Sequence, residues 1–130
     1  MINGFQEQTE PLTEYEEVTL LPQLVRGLQT KVGKAMSVTN KAIIDGMRNN
    51  LGLKLTDGRV RKLINHIRTH DLVPCLIATS NGYYIAETEA ELREYEESLL
   101  SRESAIRQVR LSIQRQRQKR YSQYKDTLFK

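Results

Sequence analysis

Asn81-Gly82 stands between two β-rich runs, Val73 to Ser80 and Tyr83 to Glu87. Asn-Gly suits a type I′ turn, which needs positive φ at both central positions. A two-residue loop there predicts a hairpin pairing Ser80 with Tyr83 and Thr79 with Tyr84. Upstream of it lie three candidate helices.

Those helices are legible from caps and spacing. Thr13 and Glu16 in "TEYE" have capping-box spacing. The first helix then carries Val18, Leu21, Leu24, Val25, Leu28 and Val32 as a buried stripe. Pro22 should kink it or restart it, and Gly33 is its expected stop. "KAMSV" reads as a short extended piece. Thr39 caps a second helix, Asn40 to about Asn50, ended by Gly52. Thr56 caps a third, Asp57 to about His70, with Val60, Leu63, Ile64 and Ile67 inward.

After the hairpin a long helix begins near Thr88. Leu92, Tyr95, Leu99, Arg102, Ile106, Val109 and Ile113 are spaced alternately 3 and 4, a heptad seam broken by one arginine. The expected organisation is a loose arm (1–12), a compact domain (13–87), a long helix (88–116) and a basic tail (117–130). The fold class is mainly α with a small β-hairpin.

At 130 residues the chain suits one domain with an extension. Its charge of +4 is patchy. Basic residues dominate 51–86, seven glutamates face two arginines across 87–103, and eight basic residues face one aspartate beyond. A single cysteine, Cys75, excludes an intrachain disulfide and is expected inside the first strand as a small core residue. Met1 to Gln8 lacks the basic and apolar regions of a signal peptide, and no apolar run reaches membrane-span length. The expectation is a cytoplasmic protein, nucleoid-associated if it binds DNA.

With helix, extended piece, helix, turn, helix and hairpin in that order, the chain resembles the winged helix-turn-helix family over residues 13–87. "TNKAIIDGMRNNLGLKLTDGRVRKLINHIRT" carries the two-helix unit and "LVPCLIATSNGYYIAE" the wing. The wing followed by a glutamate-rich helix resembles small wing-bearing proteins of phages and mobile elements. The resemblance implies that helix three enters the major groove of duplex DNA. At 100° per residue, Gly58, Lys62, Asn65 and Thr69 lie opposite the inward face. By position, Arg61, Lys62, Asn65 and Thr69 become the expected base-side contacts, and Arg59, His66 and Arg68 the phosphate contacts. Ser80 and Asn81 at the uncharged wing tip are weaker candidates. One of Tyr83 and Tyr84 is expected in the core, with the other free to lie outside.

For the long helix, early turns are expected to dock and later ones to pair two copies through Leu99, Ile106, Val109 and Ile113. The function implied is duplex DNA binding, by a transcription regulator or a replication or recombination accessory. The alternative is a winged helix used for protein contact and assembly. No cofactor, metal or small-molecule ligand is expected. His66 and His70 are spaced to chelate zinc, but lack an adjacent glutamate and a fourth ligand. No phosphate loop, dinucleotide motif or nucleophile elbow points to an enzyme.

Overall fold

The computed structural model describes residues 9–129, with side chains described for 9–122. A π-helical turn (Glu16–Leu20) leads into α1 (Leu21–Leu28). A 3-10 turn (Lys34–Met36), α2 (Asn40–Leu51) and α3 (Asp57–Thr69) follow. The strands β1 (Leu76–Thr79) and β2 (Gly82–Ile85) form the hairpin, and α4 (Glu89–Phe129) ends the chain. The fold class is the expected one, mainly α with a small antiparallel hairpin and a long C-terminal helix. The chain divides after Leu92 into a compact unit and the rest of α4. Residues 1–8 of the expected arm lie outside the described residues.

The first helix follows its cap closely and its length poorly. Glu16 N–H donates to Thr13 Oγ1 at 3.2 Å, and Thr13 N–H donates to Glu16 Oε1 at 2.8 Å. This is the reciprocal bonding that a capping box predicts. Pro22 has no N–H, and its ring would strike the carbonyl four residues back. The wider turn just before it, where Leu21 N–H reaches Glu16 O, accommodates that conflict. The helix stops at Leu28, not at Gly33. Val18 and Val32 are exposed and are not part of the buried stripe. Val32 instead bridges to Ile85, with Ile85 N–H donating to Lys31 O at 2.7 Å and Gly33 N–H to Ile85 O at 2.8 Å. Sheet pairing outcompetes another helical turn.

Thr39 and Thr56 cap α2 and α3 as expected, accepting from Ala42 and Arg59 amides. Gly52 closes α2 in the left-handed region, with φ of 66°. The core joins Leu20, Leu24 and Leu28 to Met47 and to Val60, Leu63, Ile64 and Ile67. Val73, Leu76 and Tyr83 complete it from the hairpin side.

The hairpin is present, but its loop lies one residue earlier than expected, so each pairing on β2 is displaced by two residues along β1. Thr79 pairs with Gly82 and Ala78 with Tyr83, so Ser80-Asn81 is the loop. Neither loop residue has positive φ, so the turn is not type I′. Gly82 is needed for another reason. Its φ is 124°, and a Cβ there would sit 2.5 Å from Val38 O. Val38 pairs with Tyr83 on that side, exchanging bonds of 2.8 and 3.0 Å. "KAMSV" is therefore extended only at its end, after a 3-10 turn. Cys75 precedes the strand, exposed and with φ of 66°, and is not a core residue. Tyr83 and Tyr84 are both buried, so neither lies outside.

Thr88 starts α4 by accepting from the Glu91 amide at 3.2 Å, while Glu91 Oε1 accepts from the Glu87 amide at 3.1 Å. The helix runs to Phe129, not to about 116. Residues 89–129 contain neither glycine nor proline, and the Gln/Arg/Lys run favours helix.

Candidate nucleic-acid interface

Helix α3 was expected to present one outward cationic face, but packing divides it. Lys62 is buried, 7 % exposed, and borders the recess of Asn65 and His66 without standing free on the helix surface. Its Nζ lies 2.7 Å from Glu16 Oε1, and Arg59 Nε lies 3.0 Å from Glu16 Oε2. Arg59 also rests over the Tyr15 ring, 5.6 Å from its centre. The angular reading of α3 was sound. What it lacked is the turn carrying Glu16, which meets Lys62 and Arg59.

Glu16 is itself 2 % exposed. Burial pushes its carboxyl up, but hydrogen bonds from Lys62, the Thr13 amide and Arg59 outweigh this and hold it at about 2, below the ordinary 4.5. A buried carboxylate with two cations and a backbone amide is a fully satisfied network. It engages the Lys62 ammonium and the Nε of Arg59, whose side chain remains 35 % exposed.

The remaining candidates fall into two groups. Arg61 shares a recess with Thr39, Asn40 and Lys41 at the start of α2, and with Thr79, Ser80 and Tyr83 of the hairpin. Lys41 is nearly fully exposed there, its Nζ 3.6 Å from Asp45 Oδ2 one turn along α2, a solvent-screened pair unlike the buried one at Glu16. Tyr83 donates from its hydroxyl to Asn40 Oδ1, tying the hairpin to α2. Burial raises the Tyr83 phenol, and the nearby charges of Arg61 and Arg68 act against that rise. Arg61 and Arg68, two turns apart on α3, are thus both within electrostatic range of that phenol.

Asn65, His66 and Thr69 line a different recess, whose other wall is the segment Thr9 to Leu12 with Glu17. His66 stacks on His70 with ring centres 3.9 Å apart. Burial lowers its imidazole, and the His70 charge adds to that. Thr69 donates to Asn65 O at 2.9 Å. Ser80 and Asn81 are exposed at the hairpin tip, the latter with its amide on Thr79 Oγ1. No group of three His, Cys, Asp or Glu side chains able to hold a metal ion occurs among the described residues. No helix among them is long and apolar enough to cross a membrane.

Sequence reasoning missed two residues. Lys41 could have been flagged as a cation just inside a capped helix start. Glu16 was visible as a capping residue, but its partners lie 43 and 46 positions away. On α4, the four seam residues Leu99, Ile106, Val109 and Ile113 are all exposed in the single chain, Ile106 at 70 %. Comparison with protein-family models, with curated proteins and with solved structures yields no match.

Proposed function

We propose that the compact unit binds duplex DNA as a winged helix-turn-helix, and that two copies join through the α4 seam. Arg61 and Arg68 are the principal cations, Asn65 and Thr69 the polar side chains along the same helix, and Ser80 and Asn81 the hairpin contacts. The observation that carries this reading is the recess joining Arg61 to exposed Lys41 and to Ser80. Two cations, a helix start and a hairpin tip converge there, a combination suited to phosphate contacts beside a base-reading helix. The role that fits is a regulator of transcription or an accessory of replication or recombination. Lys62 and Arg59 are not assigned to DNA, because Glu16 already engages them.

The test is selection of bound sequences from a random duplex pool at physiological salt, followed by a salt titration. Enrichment and a steep fall of affinity with salt are expected. A second reading, a protein-contact module, is favoured by the loss of two cations to Glu16 and by the uncharged hairpin tip. Absence of duplex binding even at low salt would support it.

A further inference from the structure

The seam of α4 has a polarity. Between 89 and 106 lie six glutamates and two arginines, whereas 107–120 carries six Arg or Lys and no acid. The seam residues stay exposed in the single chain, so a partner is required to cover Leu99, Ile106, Val109 and Ile113. From these facts we infer that α4 pairs with α4 of a second copy in an antiparallel coiled coil. The inference rests on the pairing part of the proposed function and adds its direction.

Flanking positions set orientation in a coiled coil. With the seam residues taken as a and d, the e positions are Glu96, Glu103, Arg110 and Arg117. Antiparallel pairing brings e against e. Aligning Ile106 with the partner's Val109 then sets Glu103 against the partner's Arg110 and Glu96 against the partner's Arg117. By symmetry each attraction occurs twice. In the same alignment Arg102 packs its aliphatic stem against the partner's Ile113.

A parallel in-register pair is worse in each respect. It sets Arg102 against the partner's Arg102 inside the seam and Arg120 against the partner's Arg120. It also runs the six-cation stretches alongside each other. Small residues agree with the antiparallel choice: Ser98, Ala105 and Ser112 recur every seventh position, so Ala105 meets the partner's Ser112 on the crowded flank.

The geometry has a consequence for DNA. At 1.5 Å per residue, the two Arg93 residues lie about 44 Å apart along the coil. That exceeds one helical turn of B-DNA, about 34–36 Å.

The full-length chain tests this with Cys75→Ser as background. Chains carrying Leu99→Cys, or Gln116→Cys, are oxidised separately and then mixed, with sedimentation equilibrium run in parallel. The antiparallel alignment faces position 99 with the partner's 116, while the two 99 positions lie about 26 Å apart. Disulfide dimers are therefore expected in the mixture and not from either chain alone. Cross-linking of each chain with itself would overturn the direction and leave pairing intact. A monomer at all micromolar concentrations would overturn direction and pairing together. A charge swap gives a second reading: Glu103→Arg should weaken the dimer roughly tenfold, and adding Arg110→Glu to the same chain should restore it. No effect of either change would also overturn the antiparallel alignment, because in the parallel pair these positions face small residues.

Discussion

Helices α3 and α4 are both rich in cations, and they differ in who decides how those charges are used. On α3 the outcome depends on a distant segment: Glu16, 43 and 46 positions upstream, engages Arg59 and Lys62 and leaves Arg61 beside the hairpin. On α4 beyond Leu92 the seam and its flanking charges lie on one continuous helix, exposed, and read directly from the sequence. A periodic pattern therefore defines the faces of either helix. Only tertiary cover determines whether a face is available, and α3 has far more of it.

The strongest way to break this contrast is to remove the lock. Glu16→Ala leaves Lys62 buried without its counter-charge, and a loss of about 3–5 kcal/mol in urea denaturation is expected. A loss below 1 kcal/mol would mean that Lys62 turns outward at little penalty, and the division of α3 would fail. Acid does the same reversibly. Because the Glu16 carboxyl is lowered from 4.5 to about 2, its contribution is complete above pH 4.5 and vanishes as pH falls toward 2. The wild type should lose about 3 kcal/mol across that window, and Glu16→Gln should lack this component.

The hairpin edge of the comparison is sharpened by Gly82→Ala. Positive φ and the clash with Val38 O predict a loss of about 2 kcal/mol by the same measurement. A neutral substitution would show that Val38 yields easily and that the third extended segment is not held tightly. A smaller effect is expected from Tyr83→Phe, which leaves Asn40 without a donor and removes about 1 kcal/mol.

These residues also show what the sequence could and could not disclose. Local signals held: the caps at Thr13, Thr39 and Thr56, the stop at Gly52, the inward stripe of α3 and the existence of the hairpin. Each rests on groups within a few positions of one another. The errors share the opposite property. Val32 left the first helix for Ile85, the hairpin register shifted because Gly82 lies against Val38, and Lys62 went inward to Glu16. All three depend on contacts across long sequence separations, for which hydrophobic period and turn chemistry carry no term. Of the candidate interface, the helix and most of its side chains were legible, but not the division among them.

The most direct test of that division is the salt dependence of duplex affinity for the wild type, Arg61→Gln and Lys62→Met. Each phosphate contact contributes about 0.9 to the slope of log affinity against log salt. Arg61→Gln is predicted to lower the slope by about one. Lys62→Met, whose native ammonium faces Glu16, is predicted to leave the slope of the folded protein at its wild-type value. A Lys62→Met slope as shallow as that of Arg61→Gln would contradict the account.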